Sequence, residues 1–181
     1  KLRGQGNKHA SMLIHVTRFT SVQNEVYNQV ANYVRDIKGR YTRGIGLAAL
    51  ELFMREEYEA TFRPGMRRIR DGLVDGEPLD DFSWREVCDV LPDVLSDIRV
   101  REINGTAKDA LDYAENDASG LKVIAIGGDK LARGLTLEGL CTSYFLRTAR
   151  MYDTLMQMGR WFGYRDGYID VCRLYTSEEM V

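Results

Sequence analysis

The run LKVIAI, residues 121–126, constrains the fold of this chain more than any other stretch. Valine and isoleucine dominate it, and it lacks the apolar–polar alternation of a strand with one wet face. A strand with no polar side has to be covered on both faces, which is the situation inside a parallel sheet flanked by helices.

The rest of the chain supplies partners for such a strand. Residues 12–16 (MLIHV), 98–103, 141–146 and 168–175 read as further strands, and 22–37, 107–116 and 151–162 read as helices. Val22, Val26, Val30, Tyr33 and Ile37 recur at spacings of four and three, forming one apolar stripe with Thr20 or Ser21 as its cap. Strands alternating with helices predict an α/β fold, a parallel sheet of five or so strands with helices on both faces.

Residues 41–95 interrupt this rhythm. They contain two helical patterns, 47–61 and 83–95, and a Gly- and acid-rich loop at 71–81. Acids outnumber bases here, so the segment reads as a mainly helical insertion off one sheet edge with a solvated acidic face. At 181 residues the chain can form one domain with a full core. It begins with Lys1 and stops soon after the last strand, so a piece of a larger protein is expected.

Several classes are disfavoured. No apolar run reaches the roughly 18–20 residues of a membrane span. Cys88, Cys141 and Cys172 are odd in number and far apart, and His9 and His15 lack metal-ligand spacing. Neither a disulfide framework nor a zinc site is expected, and a reducing cytoplasm is. The net charge of −2 carries no general nucleic-acid signal, so any such contact is local.

The chemistry concentrates near the end of the chain. On a helix, Met151, Leu155, Met158 and Phe162 share one stripe, while Asp153, Gln157, Arg160 and Tyr164 lie nearly opposite. A solvated outer face explains that pattern by itself. The preceding segment GGDKLARGLTLEGL adds a second signal, because a buried strand there runs into Gly127 and Gly128 and then Arg133-Gly134. In open α/β sheets ligands bind beyond the carboxyl ends of the strands. Arg133, Arg147 and Arg160 follow strand ends or sit on the next helix, a placement that allows them to converge at one edge, and three guanidiniums there repel unless a polyanion is present.

These residues resemble a known family. ARGLTLEGL is similar to motif V of the superfamily 2 helicases, Gly159-Arg160 to the core of motif VI, and LIHVTRF (13–19) to motif IV. Through GGDKLARGLTLEGL and DTLMQMGRWFGYRDGY the resemblance is to the Z1 domain family. That family accompanies superfamily 2 ATPase domains in bacterial restriction-type proteins and is often labelled an endonuclease. The sequence departs from the helicase pattern where Gly163 replaces the second motif VI arginine, leaving Arg165 displaced, and where Thr136 stands for the usual Asp.

The resemblance implies a RecA-like second lobe of an ATP-dependent helicase or translocase, with the helical insertion at 41–95. Arg160, with Arg165 beside it, would act as the catalytic arginine finger. Gly127, Gly128, Asp129, Arg133, Gly134 and Gln157 would line the nucleotide, and Thr17, Arg18 and Arg147 would meet nucleic-acid phosphates. The chain has no GxxxxGK[ST] and no acidic box at a strand end. ATP and Mg would therefore be held mainly by a first lobe outside this chain. The implied partners are double-stranded DNA, that first lobe and a nuclease subunit or domain, with no membrane.

Two other readings compete. A nuclease needs clustered carboxylates, usually with a lysine. Asp93, Glu102 and Asn104 come nearest but lack that lysine, and Asp80-Asp81 reads as a solvated loop. A non-catalytic docking module is the third reading, and it would tolerate loss of Arg160.

Overall fold

A computed structural model of the chain describes residues 1–17, 19–72, 80–103, 113–128, 137–145, 162 and 167–176. The described strands are β1 (Ala10–His15), β2 (Ile98–Ile103), β3 (Lys122–Gly127), β4 (Leu140–Phe145) and β5 (Arg173–Thr176). They form one five-stranded sheet in the order β2-β3-β1-β4-β5. Every pairing in it is parallel. The apolar inner strands fit a parallel sheet, edged by the more polar β2 and β5, and it matches the expected α/β architecture.

The central strand β1 is sealed on both faces. Met12, Ile14 and Val16 point one way and join Ile124, Ile126 and Val100 in a cluster with Val26, Tyr27 and Val30 of α1 (Thr20–Arg43). Ser11, Leu13 and His15 point the other way and are each 0 % exposed. On that second face Tyr113 packs with Leu121 and Val123, and its hydroxyl lies 2.8 Å from Ser11 Oγ.

The inner stripe of α1 differs from the one expected. Val22 is 40 % and Tyr33 58 % exposed, whereas Gln23 is buried and Tyr27 packs on the core. Val26, Val30 and Ile37 face inward as expected. The apolar residues alone suggested a stripe that includes Val22 and Tyr33, but the sheet accepts Gln23 because its amide finds a partner. Nor does Thr20 or Ser21 cap the helix; the N-cap is Phe19, and no side chain fills the role. At the other end, Gly44 in the left-handed region (φ 67°) terminates α1, its N–H bonding to Arg40 O.

The helical region differs in one further respect. α2 (Leu47–Glu57) passes through a π-helical turn, Tyr58–Phe62, directly into α3 (Arg63–Gly72). Pro64-Gly65 thus does not break the helix. The π turn lets Arg63 N–H bond to Tyr58 O, five residues back, just where proline removes the next donor. α4 (Trp84–Asp97) starts in a full capping box between Ser83 and Glu86, and it feeds straight into β2.

Asp81 is not simply solvated. It pairs with Arg63 at 3.3 Å and Arg67 at 3.4 Å, stapling the start of α4 to α3. The expected last strand at 168–175 is also corrected. Its first part is a tight helical turn, Ile169–Val171, and pairing begins only at Arg173. Among the described residues no helix is long and apolar enough to cross a membrane.

Candidate functional site at the carboxyl edge of the sheet

β1 connects toward β2 on one side of the sheet, and β4 connects to β5 on the other. Where neighbouring strands send their chains in opposite directions, a crevice opens at their carboxyl ends. Here those ends are His15 and Phe145, register partners whose rings stack at 4.8 Å with only 11° between their planes. Both side chains are buried, forming an aromatic floor at this end of the two strands.

Immediately beside this floor lie the carboxyl ends of β1 and β3. His15 and Gly127 are in register, and Val16 N–H donates to Gly127 O at 2.9 Å. One residue further, Gly128 is pressed against the chain leaving β1. A Cβ built on Gly128 would lie 2.5 Å from Thr17 O and 2.6 Å from Gln23 Nε2. Gln23 completes the arrangement, its Nε2 donating to Thr17 O at 2.9 Å. Because that contact requires the amide nitrogen, the orientation of the Gln23 side chain is chemically assigned. Its Oε1 is buried without a hydrogen-bond partner among the described residues.

The structure therefore brings Thr17 and Gly128 together, with Gly127 one residue away. It also changes the reason for Gly128. The resemblance implied a glycine lining a nucleotide, and its nearest neighbours among the described residues are Thr17 and Gln23 of its own chain. Gly128→Ala is expected to destabilise the fold by roughly 1–3 kcal/mol, the usual cost of overpacking. The Gln23 amide can swing aside, but the Thr17 carbonyl is main chain and cannot. An unchanged denaturant midpoint in Gly128→Ala would show that this loop yields freely.

The first turn of α1 opens at the same edge. Thr17 Oγ1 accepts from Phe19 N–H at 3.3 Å, which occupies the hydroxyl oxygen while leaving its own proton to donate. The remaining expected site residues, Arg18, Asp129, Arg133, Gly134, Arg147, Gln157, Arg160 and Arg165, lie outside the described residues.

The candidate nuclease carboxylates do not converge. Asp93 sits on α4 and pairs with Lys1 at 3.5 Å, while Glu102 on β2 accepts from Asn24 of α1 at 3.3 Å. Asn104 is outside the described residues. Among the described residues no group of three His, Cys, Asp or Glu side chains is placed to hold a metal ion.

Sequence reasoning missed a second polar constellation at the opposite, amino edge. Arg3 grips Asp170 through two parallel bonds, Nη1–Oδ1 and Nη2–Oδ2, each 2.7 Å. Arg3 also donates to Gly167 O at 2.8 Å and Asp80 O at 3.3 Å. The Asp170 hydrogen bond raises the Arg3 guanidinium above its ordinary pKa, against the opposing effect of burial. Arg173 adds a second anchor, donating to Asp170 O and Phe62 O and lying 4.9 Å over the Phe62 ring. Together they fasten the helical region to the turn before β5. Only burial exposes this role, since an Arg and an Asp far apart in a chain carry no local pattern.

The all-parallel five-stranded sheet makes this an open-sheet α/β domain. The model of the Z1 domain family matches residues 1–181, and the chain belongs to that family. No curated protein and no solved structure matches it.

Proposed function

We propose that this chain is the second RecA-like lobe of an ATP-dependent superfamily 2 helicase or translocase acting on DNA, in a bacterial restriction or DNA-processing system. The observation that most supports this reading is the joining of Thr17 and Gly128 at the carboxyl edge. Thr17, in the segment that resembles motif IV, and Gly128, which opens the Z1-like GGDKLARGLTLEGL, leave adjacent strands there, as the two halves of one site should.

In this reading the first lobe, outside the chain, would hold ATP and Mg through a phosphate loop and an acidic box. This chain would contribute Arg133, Gly134 and Gln157 beside the nucleotide and Arg160 to the reacting phosphate. Gly127 and Gly128 fit a supporting role better than direct contact, because the space above Gly128 is taken by Thr17 and Gln23. Thr17, Arg18 and Arg147 would face DNA phosphates at the uncapped start of α1.

The test is reconstitution. The isolated chain should not hydrolyse ATP, and adding or fusing the first lobe should produce hydrolysis that DNA stimulates. Hydrolysis by the chain alone, or a joined pair indifferent to DNA, would defeat the proposal.

A further inference from the structure

α2 has two unlike faces. Leu50 is buried and Leu47, Glu51 and Met54 are half-buried, whereas Ala48, Ala49, Leu52, Phe53 and Glu56 are exposed. Leu52 is 55 % and Phe53 60 % exposed, and Ile45 in the turn leading into the helix is 63 % exposed. Single exposed apolar residues need no explanation. Three large ones aligned with two alanines along one helical stripe do, because such contiguous patches mark interaction surfaces.

We propose that this face is the interface of a homodimer, with α2 packed antiparallel on α2 of a second copy. Self-complementarity selects a second copy over another partner. A two-fold interface brings the same patch to itself, so a helix face that carries large residues one turn from alanines can match itself. An axis passing between Ala49 and Leu52 sets Leu52 against the partner's Ala49 and Phe53 against the partner's Ala48. The alanines let the helices approach closely while the large residues fill the grooves beside them.

The charges agree with the same axis. Antiparallel packing carries Glu56, near the end of α2, to the turn that precedes α2 in the other copy. Arg43 is the last residue of α1, just before that turn, and neither Arg43 nor Glu56 belongs to an ion pair among the described residues. Two symmetry-related Arg–Glu pairs would close the ends of the apolar seam. The patch is small beside a standard interface of about 1,600 Å², so association in the micromolar range is expected.

Sedimentation of the full chain across roughly two decades of concentration around micromolar tests this. The wild type should shift from monomer toward twice that mass. Phe53→Asp should weaken the dimer at least about tenfold, equivalent to about 1.4 kcal/mol, while its thermal melt below the association range stays that of the wild type. Glu56→Arg should weaken association, and adding Arg43→Glu to it should restore association. A wild type that stays monomeric throughout would overturn the proposal and leave this face to a different partner. A dimer unaffected by Phe53→Asp and by the charge exchange would also overturn it, by placing the contact elsewhere.

Discussion

Asp170→Ala is expected to lower unfolding stability by about 3–5 kcal/mol, the typical cost of removing one partner from a buried ion pair. Asp170 is 0 % exposed, and the Arg3 side chain retains only 16 % of its exposure. Removing the carboxylate strands a largely buried guanidinium and takes away two charge-assisted bonds at once. Three segments lose their common anchor at once, because Arg3 joins the start of the chain, the loop before α4 and the turn before β5. Arg3→Leu combined with Asp170→Leu should cost much less than the sum of the single changes, since neither charge is then stranded. Denaturant midpoints at an unchanged slope provide the measurement. A loss below about 1 kcal/mol in Asp170→Ala would mean that this pair is not what holds the segments together.

The second large effect concerns Arg160 and rests on the proposed function. In the protein completed by its first lobe, Arg160→Ala should reduce ATP turnover by roughly 10³–10⁵-fold, about 4–7 kcal/mol. Nucleotide affinity should barely change, because the first lobe would supply most ground-state contacts while the arginine meets charge that develops only in the transition state. Arg160→Lys should rescue little, since a point charge on a flexible stem does not reproduce a planar fork. A smaller loss in Arg165→Ala would agree with its displaced spacing. The readouts are steady-state ATPase rate and nucleotide binding, each with and without DNA. Turnover at the parent rate in Arg160→Ala would return this residue to the role of a solvated helix face.

Much of the fold was readable in advance. The strand at 98–103 was located without error, and those at 12–16, 121–126 and 141–146 were each placed to within two residues. Period and composition suffice there: the inner strands are apolar on both faces, while the edge strand β2 alternates, with Arg99 and Arg101 exposed. Helix α3 escaped because the helical pattern was ended at 61, just before Pro64-Gly65. The π turn that accommodates the proline is stabilised from outside, by Arg173 on Phe62. The start of β5 was set too early for a similar reason: Asp170 turns inward to meet Arg3, so Ile169–Val171 curls into a helical turn before pairing begins.

The candidate site divides along the same line. Gly128, Arg133 and Arg160 were expected at one edge; the parallel register of β1 and β3 sets Gly128 beside Thr17 there, and the two arginines lie outside the described residues. Gln23 was not expected, because a glutamine in the first turn of an amphipathic helix ordinarily faces water. It is buried because Thr17 O offers its amide a partner and Gly128 leaves it room.

By itself the sequence determined the strands, their parallel class and the family, because these are written in local period and in contiguous motifs. Tertiary structure alone decided the order β2-β3-β1-β4-β5, the packing of Gly128 on Thr17 and the pairing of Arg3 with Asp170 across 167 positions. The physical reason is that a local pattern reports only which face a residue prefers. Which distant group it meets there depends on how the strands are ordered and the loops close, and on whether a buried charge finds its opposite when they do.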